Sequence, residues 1–111
     1  MVQRVAIMPR NEPPNIIEKL LNEELTVCQN LTKFEEANKE AFLKARVYPS
    51  PITVNFSGGI RKICWNITKS DGTYRVVFLP EQEYFALCVD SDFGPLDIGV
   101  HGSALGCFGS V

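Results

Sequence analysis

Only one histidine, His101, occurs in the 111 residues, and no lysine or arginine follows Arg75. Any imidazole-based mechanism would therefore have to run through a single side chain. The four cysteines, Cys28, Cys64, Cys88 and Cys107, never stand in a Cys-x-x-Cys pair. That spacing removes zinc-ribbon and dithiol redox motifs and leaves buried, free thiols as the expectation. No apolar run approaches the roughly 20 residues of a membrane-spanning helix. The run Val5–Met8 is cut by Pro9, well short of the apolar core of a secretory signal. The expectation is a cytoplasmic protein of bacterial type that does not bind membranes. The formal net charge is −2, so the dense basic face that nucleic acid requires is missing as well.

What is present reads as one domain. A chain of this length buries roughly two thirds of its unfolded surface, enough for a core without metal or disulfide support. Apolar residues make up 45% and charged residues 22%, the balance of a globular protein. We expect a single α+β domain over residues 1–111, with a helical half at about 13–46 and a β-sheet half at about 52–108. Charge is distributed unevenly along it. Lys44 to Arg75 holds six basic residues against one acid, Asp71, whereas residues 80–111 hold five carboxylates and no base. Such asymmetry bears on binding more than on chemistry.

Pro13 and Pro14 precede Asn15, and Glu18 follows three residues on, a spacing that predicts a capping box at the start of a helix over 14–28. Thr32 and Glu35 predict a second box opening a helix over 33–46, with Phe34, Ala37, Ala41, Phe42 and Ala45 as its buried stripe. Tyr48-Pro-Ser-Pro51 ends the helical half, because each proline biases its predecessor toward extended backbone. Strands are expected at Ile52–Phe56, Ile60–Thr68, Thr73–Leu79 and Glu83–Asp90, with a last hairpin of Ile98–His101 and Ala104–Phe108 around Gly102-Ser103. Short connections, such as Ser57-Gly58-Gly59, imply antiparallel neighbours. The fold class is thus α+β: two N-terminal helices packed on one face of an antiparallel β-meander of four to six strands.

Side-chain parity sharpens this picture. Ile63, Trp65 and Ile67 share one face of their strand, and Lys62, Cys64, Asn66 and Thr68 the other, a one-sided pattern. In the next two strands Val76 and Phe78 lie opposite Val77 and Leu79, and Phe85 and Leu87 lie opposite Ala86 and Cys88. Strands apolar on both faces are buried on both faces. Two helices cover one side; the tail or another molecule must cover the second.

Candidate chemistry is sparse. Asp90, Asp92 and Asp97 offer carboxylate oxygens in one loop, as Mg²⁺ or Ca²⁺ would need. A calcium loop, however, requires a glycine one place later than Gly94 and a closing glutamate where His101 stands. No metal or other cofactor is expected. Ser57-Gly-Gly59 before Arg61 and Lys62 could cradle an anion, but no helix follows to add its dipole, so a hairpin turn is the reading. Asn30-Leu-Thr32, Asn55-Phe-Ser57 and Asn66-Ile-Thr68 fit the glycosylation sequon, which without a secretory signal reads as chance. Arg61, Lys62 and Arg75 could pair across strands with Glu83, Asp90 and Asp97, which would account for the charge blocks. Trp65 reads as core.

No catalytic set emerges, and an enzyme is not the expectation. The sequence favours a small protein–protein interaction module of immunity or antitoxin type, homodimeric or bound to another protein. It would use the second sheet face or the acidic loops, with Asp90, Asp92, Asp97, His101 and Trp65 as binding candidates. The alternative is a small-molecule-binding domain with a pocket between helices and sheet, lined by Phe34, Phe42, Trp65 and Phe85.

Overall fold

Helix α1 spans Glu12–Thr26 in the computed structural model, which describes residues 12–27 and 29–111. Pro13 and Pro14 lie in its first turn, where a missing amide hydrogen is no loss. The helix therefore starts ahead of the expected cap. Asn15 sits inside it, and Glu18 forms an ion pair with Arg46 instead of closing a box. Cys28 lies outside the described residues. Helix α2 spans Lys33–Ala45 and begins as its sequence demands. The Thr32 hydroxyl accepts from the Glu35 amide at 3.1 Å, and the Glu35 carboxylate accepts from the Thr32 amide at 2.9 Å.

Five strands and a short helix follow: β1 (Arg46–Phe56), β2 (Ile60–Thr68), β3 (Tyr74–Leu79), β4 (Tyr84–Ser91), β5 (Gly94–Gly102) and α3 (Ala104–Phe108). Strand β1 begins six residues before the expected Ile52, since the extended bias that prolines impose ends a helix and also suits a strand. The expected last hairpin does not form. Ile98–His101 belongs to β5, which pairs antiparallel with β4 from Ser91↔Gly94 to Phe85↔Gly102. Ala104–Phe108 is helical because its free amides find acceptors. The Ser103 hydroxyl takes the Gly106 amide at 3.0 Å, and the carboxylate of Glu24 in α1 takes those of Ala104 and Leu105 at 2.8 and 3.1 Å.

The sheet is not the open meander that the sequence suggested. Consecutive strands pair antiparallel, and β1 meets β5 in parallel at Asn55↔Leu96, which closes a small mixed barrel. Closure answers the parity problem. Ile17 and Leu21 of α1, Phe42 of α2 and Ala104 and Cys107 of α3 pack on the outer-face residues Ile67, Val76, Phe78, Phe85 and Leu87. Val54, Cys64, Val77, Leu79, Ala86 and Cys88 form a second core inside the barrel. The faces read for β3 and β4 are those observed. Strand β2 is not one-sided: Cys64 turns into the interior core, while Ile63 is 66% exposed.

The seam between β1 and β5 is short and depends on a side chain. Asn55 Nδ2 donates to the carbonyls of Phe93 and Pro95, at 3.0 and 3.2 Å, pinning the β4–β5 turn to β1. Replacing Asn55 with Ala should lower unfolding free energy by about 1–2 kcal/mol, the worth of one or two modest hydrogen bonds. Urea denaturation monitored by tryptophan fluorescence checks this; unchanged stability would mean that the clamp is idle.

Candidate functional site

The structure brings two of the five candidate residues together. His101 Nε2 lies 2.9 Å from Asp97 Oδ1, and its ring stacks on Tyr84 with centroids 4.9 Å apart and planes 17° from parallel. In a regular strand, four residues would separate Asp97 and His101 by about 13 Å, too far for this contact. A bulge shortens the path. Leu87 pairs with Val100 while Cys88 pairs with Asp97, so Ile98 and Gly99 are extra residues, and Gly99 takes φ +85°, open to glycine without a side-chain clash. Asp97 and His101 thus stand opposite Cys88 and Ala86, only two residues apart, on the face that looks into the barrel.

Asp90 belongs to a different network. Arg75 donates to both of its oxygens, from Nε at 2.8 Å and from Nη2 at 3.3 Å, and the Ser70 hydroxyl also bonds it. Arg75 Nη1 reaches Asn66 Oδ1 at 3.2 Å. Lys62 pairs with Glu81 at 3.2 Å. Asp92 is exposed in the β4–β5 turn, apart from both groups. Trp65 packs, half-buried, against the outer core. The five candidates therefore occupy four separate places.

Among the described residues no nucleophile is hydrogen-bonded to the Asp97–His101 pair. No hydroxyl or thiol hydrogen-bonds the imidazole among the described residues. Burial pushes the Cys64 and Cys107 thiols up to about 11 and Cys88 to about 12, which keeps all three protonated at neutral pH. Among the described residues no group of three or more His, Cys, Asp or Glu side chains could hold a metal ion.

A recess able to hold a molecule lies elsewhere, where α2 meets the start of β3. A groove of about 500 Å³ opens there, walled by Ala41, Ala45, Val76, Leu87 and Phe108 and rimmed by Thr68–Asp71 and Tyr74. Its cause is local. Ala41 and Ala45 are too small to fill the space between helix and sheet, and the Lys69 amide bonds the Ala45 carbonyl at 2.9 Å, fixing the rim to the end of α2. Asp71 Oδ1 accepts the amides of Tyr74 and Thr73 at 2.7 and 2.9 Å, which holds its carboxyl below the ordinary carboxylate range. No family model, curated protein or solved structure matches this chain. The groove must be read from its own chemistry.

This is not the pocket anticipated from aromatic residues. Phe42 and Phe85 are packed into the outer core, and Phe34 is 75% exposed. The usable signal was the pair of alanines one turn apart on α2, which resembled an ordinary buried stripe.

The thiols give a direct test of this arrangement. At pH 8 Ellman's reagent should leave Cys64, Cys88 and Cys107 unmodified until denaturant is added. Because their folded-state values are raised, the associated stability is fully present below the unfolded value near 9 and is lost as pH rises toward 11–12. Denaturation midpoints between pH 8 and 11 should fall, and fall less in Cys88→Ala; rapid labelling in the native state would show that the interior is open.

Proposed function

We propose that this domain binds a small molecule in the groove between α2 and the sheet. The observation that carries the reading is a recess of about 500 Å³ in which apolar side chains of helix and sheet stand beside polar ones, Asn38 on α2 and Thr68–Asp71, Tyr74 and Arg75 on the sheet side. That size and lining suit a small-ligand site. Barrel closure adds weight, because the second apolar face is filled by the chain's own side chains and needs no partner to cover it. The acidic-loop idea loses two of its carboxylates, Asp90 to Arg75 and Asp97 to His101.

The interaction-module reading, with a second copy or an immunity- or antitoxin-type partner, stands second. It draws on the exposed side chains of Ile63 on β2 and of Leu96 and Ile98 on β5, and on Phe93, 86% exposed at the β4–β5 turn.

Thermal shift across a broad metabolite panel, run on wild type and on Ala41→Phe, separates the two. Ligand binding to the folded state should raise Tm for at least one compound, and the variant, its groove filled, should lose that response. A silent panel together with a concentration-dependent dimer in light scattering would reverse the order.

A further inference from the structure

Spare hydrogen-bonding capacity around the groove has both polarities. Thr68 is 1% exposed; its oxygen accepts the Val76 amide at 3.0 Å, which leaves its O–H without an acceptor among the described residues. A buried donor left unmade is costly, so this one points to an acceptor from outside the chain. Lys69, next on the rim, is exposed, and no carboxylate lies within ion-pair distance of its ammonium group among the described residues. Asp71 is exposed in the same turn. Its Oδ1 holds the amides of Thr73 and Tyr74, and its Oδ2 has no donor among the described residues. Arg75 and Asp90 neutralise one another, so the charges left over at this rim are one cation and one anion. The Tyr74 hydroxyl can donate or accept and selects neither sign. A further acceptor stands apart. Asn38 gives its Nδ2 to the Leu105 carbonyl at 3.3 Å, which leaves Oδ1 open. It precedes Ala45, the residue tied to Lys69, by about 10 Å along the helix. The groove thus has a charged end and an uncharged polar end, with Ala41 and Ala45 between them on α2.

Resting on the groove reading above, we propose that the ligand is a zwitterionic α-amino acid whose aromatic side chain ends in a donor, the phenol of tyrosine or the indole of tryptophan. Its carboxylate accepts from Lys69 and Thr68, and its ammonium group donates to Asp71 Oδ2. Its ring lies on Ala41, Ala45, Val76 and Phe108, and its tip donates to Asn38 Oδ1. A carboxylate alone would leave Asp71 unpaired, and an amine alone would leave Lys69 and the Thr68 O–H unpaired. A neutral head would forgo both charge-assisted bonds, which are the stronger kind.

Isothermal titration of the full chain with L-tyrosine and L-tryptophan tests this, beside three analogues that each lack one group. Tyramine has no carboxylate, 3-(4-hydroxyphenyl)propionate has no ammonium group, and L-phenylalanine has no donor at its tip. Tyrosine or tryptophan should bind, and more tightly than any analogue, by about tenfold over the two that lost a charge. Lys69→Gln should weaken the amino acid about tenfold and leave tyramine unchanged. Asp71→Asn keeps the oxygen that holds the turn; it should weaken the amino acid and leave the propionate unchanged. Ala41→Phe should abolish binding. An analogue that binds as tightly as the amino acids, or a charge variant without effect, would overturn the ligand class. If the analogue is nevertheless blocked by Ala41→Phe, the groove survives as the site and only the ligand class falls. No binding of any probe overturns the amino acid, and binding that ignores Ala41→Phe overturns groove and ligand class together.

Discussion

Strands β3 and β4 carry apolar side chains on both faces, and everything else in this small domain follows from the need to hide both. A flat sheet under two helices would leave Val77, Leu79, Ala86 and Cys88 in water. The chain instead curls the sheet until β1 reaches β5, so that one face becomes the barrel interior and the other receives the helices. The meeting is brief, a single parallel pair at Asn55↔Leu96 reinforced by the Asn55 side chain. A five-stranded barrel has a narrow interior, and small residues such as Ala86 and Cys88 fit its taper.

Closure also determines where polar groups go. The basic middle and the acidic tail become partners within one molecule: Arg75 with Asp90, Lys62 with Glu81. Arg75 and Asp90 are both largely withdrawn from water, and such a pair contributes less to net stability than its geometry suggests, because each ion lost solvent on entering. Its effect falls on register, since a slip of one residue between β3 and β4 would separate the two. The β5 bulge plays a related part at the other polar cluster, compressing Asp97 and His101 into contact under Tyr84. Two of the six bases of the middle segment, Lys62 and Arg75, are thus spent on pairing with the acidic tail.

Much of the architecture was legible in local chemistry. Thr32 and Glu35 announced a helix start, the parity of β3 and β4 identified both cores, and β2 fell between the expected residues. The misreadings share a cause, which is information held by residues distant in sequence. Nothing near Ala104 shows that Glu24 will cap it from 80 positions away, so Ala104–Phe108 resembled a strand. The parallel contact of β1 with β5 joins segments some 40 residues apart, and no turn signal encodes it. For the candidate site, Asp97 and His101 were both binding candidates, and their contact depends on a bulge that strand periodicity hides. The groove was missed because small side chains leave no hydrophobic signal: Ala41 and Ala45 mark a space by what they do not fill.

The claim on which this account turns is barrel closure, and nuclear Overhauser contacts between backbone protons test it most directly. Asn55 should show cross-strand contacts to Arg61 on β2 and to Leu96 on β5, while Val89 shows them to Leu96. Contacts from Asn55 to Arg61 and from Val89 to Leu96, with none from Asn55 to Leu96, would describe an open sheet with one apolar face uncovered and would contradict the account.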